Sequence, residues 1–314
     1  MLRRRRSLRA GGTFVVAVAA MAGAWPGDAQ TRVALDAATF RADSRLVLVP
    51  VTVVDRRGAI VSGLTSDAFT LTEDGAPQDI RSLSEEDAPV SMGIVLDLSN
   101  SMKKALGTAK QSLATLMKDA NPGDEAFLNG VSTRPRAYSG FTKDLGEILD
   151  RVAFENAGGD TALVDTIYDS LRQLRSGVYP RKALLVISDG MDNHSRHSRG
   201  ELLDLAMETD AQVYTVAAGE AAPAYSKPIE LAEEKRGLLF LDELAAKTGG
   251  MSFIVRDQSD IAGAAASVGR ALRNQYTIGY APRGDGGAGK WRKIRVKVAG
   301  AGMRAYARTG YRLD

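Results

Sequence analysis

Three short segments concentrate oxygen donors that can serve one ion: Asp97-Leu98-Ser99-Asn100-Ser101, Gly158-Gly159-Asp160-Thr161-Ala162-Leu163 and Ile187-Ser188-Asp189-Gly190. Asp97, Ser99, Ser101, Thr161 and Asp189 supply two carboxylates and three hydroxyls. Such a set suits Mg²⁺ or Mn²⁺, which take octahedral oxygen coordination and commonly keep several waters, whereas a soft or redox metal wants sulfur or imidazole. Ser99 and Ser101, two apart in an irregular loop, can both turn toward an ion whose charge Asp97 and Asp189 balance. Hydroxyls are weak ligands, so the ion stays electron-poor and keeps a position for an acidic group from a partner. Each residue alone also fits a cap or a turn, because Asp, Ser and Thr favour helix starts. Their joint presence is what points to a metal.

The surrounding pattern places these segments where strands end and helices begin, the usual ligand position of open α/β sheets. Apolar runs at 92–96, 126–131, 183–187, 213–217 and 252–255 read as parallel strands buried on both faces. Between them, Met102, Leu106, Ala109, Leu113, Leu116 and Met117 share one helical face, as do Leu163, Ile167, Leu171 and Leu174; a last helix runs over about 261–273. The implied fold class is α/β, a doubly wound and mainly parallel sheet flanked by helices. Before it, 46–54 is rich in β-branched residues, 60–61 and 69–72 resume strand character, and Asp74-Gly75 signals a type I′ hairpin. After it, strands return at 276–280, 291–298 and 303–309, and Lys293, Arg295 and Lys297 alternate with Ile294, Val296 and Val298 to form a solvated face. Neither terminal β segment is large enough to bury a core alone, so the two are expected to pack together as an accessory antiparallel module. The expected division is a signal peptide at 1–29, an N-terminal β segment at 30–88, the α/β domain at 89–274 and a C-terminal β segment at 275–314.

DLSNS at 97–101, GGDTAL at 158–163 and ISDG at 187–190, in this order, resemble the metal-ion-dependent adhesion site of von Willebrand factor type A domains. The resemblance covers roughly residues 89–274. It implies direct coordination by Ser99 and Ser101, coordination by Thr161 in one conformational state, and roles for Asp97 and Asp189 directly or through water. The flanks VDRRGAIVSGLTSDAFTLTEDGAPQDI, WRKIRVKV and ARTGY are similar to those of a bacterial group of exported proteins related to this domain.

The composition, 44% hydrophobic and 25% charged, is that of an ordinary globular chain. Its basic pI does not point to nucleic acid, because Arg3, Arg4, Arg5, Arg6 and Arg9 precede the uncharged stretch 13–25, the organisation of a signal peptide with cleavage after Ala29. Without residues 1–29, which hold five arginines and Asp28, the 41 basic and 38 acidic residues become 36 and 37 and the net charge falls from +3 to −1. A nearly neutral chain has no global field for steering nucleic acid. No cysteine is present, which excludes disulfides, thiolate catalysis and a lipidated cysteine anchor. With no later segment apolar enough to span a bilayer, the expected location is periplasmic or secreted.

Two motifs are decoys. GDGGAGK at 284–290 fits the start of a phosphate-binding loop, but Trp291 stands where Ser or Thr is required and a strand follows, so it reads as a flexible hairpin loop. His194 and His197 have a spacing allowed for zinc on a helix but lie in a polar loop, as exposed rim histidines. The functional expectation is a metal-dependent binding module, not an enzyme, whose ion takes an acidic residue from a protein partner. The alternatives are an envelope scaffold using the ion only for stability, or a hydrolase with Asp97 as nucleophile. Against the hydrolase, Ser99 stands where a second acid would be needed and no lysine is clearly placed to hold phosphate. Partner identity and oligomeric state are not legible.

Overall fold

A computed structural model describes residues 46–85, 87–218, 228–257, 259–283 and 289–312. The expected signal peptide at 1–29 lies outside them. In chain order the elements are β1 (Val47–Val54), β2 (Phe69–Glu73), β3 (Ala76–Gln78), β4 (Ile80–Glu85), β5 (Ser91–Asp97), α1 (Leu106–Lys118), β6 (Glu125–Val131), β7 (Arg136–Ala137), α2 (Leu145–Ala153), α3 (Leu163–Leu174) and β8 (Lys182–Ser188). They continue with α4 (Arg199–Glu208), β9 (Ala211–Ala218), α5 (Pro228–Thr248), β10 (Ser252–Val255), α6 (Asp260–Arg273), β11 (Tyr276–Tyr280), β12 (Trp291–Val298), β13 (Arg304–Ala307) and β14 (Gly310–Arg312).

The central sheet has the order β10-β9-β8-β5-β6-β7, parallel except for β7. Side chains alternate across a strand, so β5 sends Met92, Ile94 and Leu96 into a core shared with α1, α2 and α6, and Val95 into one shared with α3, α4 and α5. Both faces are thereby covered, which is why the strands read as continuous apolar runs. Each residue assigned from the sequence to the inner faces of α1 and α3 is buried. This is the doubly wound α/β fold with accessory antiparallel sheets that the sequence implied.

The accessory module is two facing four-stranded sheets, β13-β1-β11-β4 and β14-β12-β2-β3. Val49, Val51, Leu71, Tyr276, Ile278 and Ile294 fill the space between them. The β2–β3 hairpin turns at Asp74 (φ 49°) and Gly75 (φ 86°), the positive pair that a type I′ turn needs. Lys293, Arg295 and Lys297 are exposed and Ile294 is buried, a solvated outer face.

Three details differ from the sequence reading. The expected strand at 303–309 is β13, and a further short strand, β14, follows it in a different sheet. The break between the two falls where the chain crosses the end of α5: the Thr309 N–H donates to the Lys247 carbonyl (3.1 Å), and a Cβ on Gly249 would lie 2.3 Å from the Arg308 nitrogen. The segment after β11 is not a hairpin loop, since β11 and β12 lie in different sheets; residues 284–288 themselves fall outside the described set. Ile60 forms only an isolated bridge to Val54. Among the described residues no helix is long and apolar enough to cross a membrane.

Candidate metal centre

Asp97 is the last residue of β5, a central strand, and is fully buried. Its Oδ1 accepts the Ser99 N–H (2.9 Å) and its Oδ2 accepts the Ser188 hydroxyl (2.5 Å), so both oxygens are fixed by the chain around them. The Ser99 and Ser101 hydroxyls lie 3.0 Å apart. The loop following β5 thus brings a carboxylate and two hydroxyls to one spot.

Asp189 and Thr161 reach the same end of the sheet through their backbones. Asp189 follows β8, the hydrogen-bonded neighbour of β5, and its Oδ1 accepts the Met191 N–H at 3.0 Å. Thr161 precedes α3 in a segment bound on two sides. Toward the β5 loop, the Gly158 N–H donates to the Leu98 carbonyl (2.8 Å) and the Asn100 N–H to the Gly159 carbonyl (3.3 Å). Toward the β8 loop, the Thr161 N–H donates to Asn193 Oδ1 (2.9 Å), and the Thr161 carbonyl accepts the N–H groups of Asn193 (3.0 Å) and His194 (3.1 Å). Hydrogen bonds link Asp97, Ser99 and Ser101 through side chains or backbone, and both main-chain and side-chain bonds hold the Thr161 and Asp189 segments near them.

Burial and the neighbouring Asp189 charge push the Asp97 carboxyl up to about 7, against the opposing hydrogen bonds from Ser188 and Ser99. Two carboxylates brought close together in a buried site repel, which favours the protonated form of one of them. Among the described residues no group of three His, Asp or Glu side chains forms a metal cluster. The donor types of the five residues, two carboxylates and three hydroxyls, are those a hard divalent cation takes.

Residues beyond the five hold the loops. Ser188 bonds Asp97 and also accepts the Gly190 N–H (3.0 Å). The N-terminus of α3 has no cap from its own preceding side chain; Asp192 accepts the Val164 N–H (3.2 Å) and Ser195 Oγ the Asp165 N–H (3.0 Å), satisfying two of its free donors. Asp165 in turn accepts the N–H groups of Arg196 (3.0 Å) and His197 (2.9 Å) and lies 2.7 Å from His197 Nδ1. Burial alone would raise the Asp165 carboxyl, but these bonds hold it below the usual carboxylate range. The His197 ring stacks on Tyr168 with centroids 3.9 Å apart. His194 is an exposed rim residue as expected; His197 is instead half-buried and locks the β8–α4 loop to α3. Their signals were in view as Ser188 inside ISDG and the polar run 192–198, but which backbone groups they serve depends on tertiary placement.

Gly190 is required twice over. Its φ of 80° is left-handed, and a Cβ there would lie 2.6 Å from the Gly237 backbone of α5. The β8 loop therefore rests directly on a helix backbone.

The doubly wound sheet carries hard oxygen donors in the loops beyond its central strands. Residues 92–191 match the family model of the von Willebrand factor type A domain. A von Willebrand factor type A protein from Catenulispora acidiphila shares the fold at 12% identity and TM-score 0.50, over 88% of this chain and 76% of that one. An aerotolerance-related membrane protein from Bacteroides fragilis is 16% identical, with TM-score 0.46 over 58% and 98% of the two chains. The vWF domain of a type V pili tip protein from Porphyromonas gingivalis is 13% identical, with TM-score 0.47 over 59% and 95%. Comparison with curated proteins found no match.

Proposed function

We propose that Asp97, Ser99, Ser101, Thr161 and Asp189 hold one Mg²⁺ or Mn²⁺ ion, and that the protein is an exported binding module, periplasmic or secreted, whose ion captures an acidic residue of a protein partner. The observation that carries this reading is the buried Asp97 carboxylate at the end of β5, beside Asp189 and the Ser99–Ser101 hydroxyl pair. That arrangement gathers hard oxygen donors, two carboxyls and two hydroxyls, at one strand end. The bound ion would supply a Lewis-acidic centre for a carboxylate. The chain's own residues fix the donors: Ser188 orients Asp97, Asn193 anchors the Thr161 backbone, and Gly190 lets the Asp189 loop seat on α5.

Calorimetry with Mg²⁺ tests the site. The wild type is expected to bind one ion and Asp97→Ala none; equal binding by both removes the proposed centre. Pull-down of crosslinked partners with and without chelator tests capture. Partners retained after metal removal would favour a scaffold that uses the ion only for stability.

A further inference from the structure

Resting on the metal-capture reading, we infer that the partner meets this face with a cluster of carboxylates rather than a single acidic residue, because exposed cations with no carboxylate partner among the described residues stand on three loops that carry, or are hydrogen-bonded to, the segments of the candidate centre. Three different loops supply them. Lys103 follows Ser101 by two residues, at the end of the short helical turn Asn100–Lys103. Arg134 lies in the β6–β7 loop beside Thr133, whose hydroxyl accepts the Asp160 N–H at 3.3 Å. Arg196 lies in the β8–α4 loop, its N–H held by Asp165 at 3.0 Å. All three are exposed, and none has a carboxylate partner among the described residues.

The acids of the same region are engaged or displaced. Asp192 accepts from Val164 and from the Ser195 hydroxyl, and Asp160 faces His194 at 3.8 Å. Once a divalent ion balances Asp97 and Asp189, Lys103, Arg134 and Arg196 are exposed charges of these loops with no carboxylate partner among the described residues. Exposed like charges held on separate, hydrogen-bonded loops cannot relax toward internal partners, so their field acts outward. Such a field steers and selects an oppositely charged surface. The loop geometry makes this selection independent of the ion: the metal takes one carboxylate, and the three cations take its neighbours.

Fluorescence anisotropy of a labelled decaglutamate peptide, with the full chain in Mg²⁺ buffer, tests the inference. The wild type is expected to bind at about 50 mM salt and to weaken steeply as salt rises through the range where surface charges are screened. The triple reversal Lys103→Glu, Arg134→Glu and Arg196→Glu is expected to weaken binding by about tenfold or more. Its melting temperature and its Mg²⁺ affinity by calorimetry are expected to be retained, because none of the three side chains is buried or a metal donor. No decaglutamate binding by the wild type, or equal binding by the reversal variant, overturns the inference. Asp97→Ala and chelator separate the two readings. Binding that survives both but is lost on charge reversal supports the role of the three cations and sinks metal capture. Binding lost in Asp97→Ala yet untouched by charge reversal does the opposite.

Discussion

Asp97 carries the electrostatic conflict on which the proposed function rests. Its folded pKa, raised to about 7 by burial and by Asp189, lies above the ordinary aspartate value near 4 expected in the unfolded chain. Between those values the folded state holds a proton that the unfolded state has lost. In metal-free protein this group therefore makes stability fall as pH rises through that window and level off above the folded value. Asp97→Asn removes the charge while its amide can still accept the Ser99 N–H and donate to Ser188. The expected result is a metal-free variant more stable than wild type by on the order of 2–4 kcal/mol at pH 8, with the advantage vanishing below about pH 4. Denaturant melts at both pH values check it; a destabilised variant at pH 8 would show that the buried charge is not the dominant strain. Mg²⁺ should raise the wild-type melting temperature and leave that of Asp97→Asn unchanged, and the affinity of the wild type should weaken as pH drops below about 7, where the proton competes with the ion. The segments that carry the five proposed donors were legible from the sequence because each sits at a strand end or helix start that its neighbours announce. Ser188 was not assigned a role, since its bond to Asp97 crosses from β8 to β5.

At the scale of elements, the β8 loop is positioned by a contact between two glycines. A Cβ on Gly237 would lie 2.2 Å from the Gly190 carbonyl oxygen, inside the body of α5. In an ordinary exposed helix, Gly→Ala stabilises by roughly 1 kcal/mol. Here Gly237→Ala is expected to do the reverse, lowering stability by about 1–3 kcal/mol as the loop is pushed away. The same displacement moves Asp189, so Mg²⁺ affinity should fall along with the melting temperature. A variant that gains stability and keeps its affinity would show that α5 does not support the site. The glycine of ISDG is visible in the sequence, whereas its partner 47 positions later is not. The reason lies in α5 itself: Leu238, Leu239, Phe240 and Leu241 run consecutively and obscure the helical period that made α1 and α3 readable. The same weakness hid α4, where Leu202, Leu205 and Ala206 are the buried residues, and α2, whose single nine-residue stretch is too short for a sustained pattern.

At the scale of the whole molecule, the two chain segments flanking the α/β domain are interleaved rather than merely adjacent. β1 lies between β11 and β13, and β2 lies between β12 and β3, so each accessory sheet contains strands from both sides of the domain in sequence. Terminal patterning foretold a shared β module; the interleaving and the extra strand β14 after the close approach of Ala307 and Arg308 to Gly249 are not recorded in the alternation of the sequence. The module is tied to the domain by buried groups. The Gln275 side chain donates to Gln212 Oε1 (2.8 Å), and Thr52 and Tyr214 are fully buried beside it. Inside the module, Glu73 accepts the Tyr280 hydroxyl (2.5 Å), the Tyr311 hydroxyl (2.9 Å) and the Arg292 guanidinium (2.8 Å), joining β2, β11, β12 and β14. Removing one partner from a buried charged network costs about 3–5 kcal/mol, because the others lose their acceptor. Glu73→Ala should therefore destabilise the protein by that amount. Since both segments enter one module and that module is bonded to the domain core, the loss should be felt by the helices too. With Trp25 replaced by Phe, Trp291 on β12 is the remaining tryptophan and reports the module, while far-ultraviolet circular dichroism reports mainly α1–α6. In denaturant the two signals are expected to change together in wild type and to shift together in Glu73→Ala. A variant in which Trp291 fluorescence is lost at lower denaturant while the helices keep the wild-type midpoint would show that the module melts independently of the domain it flanks.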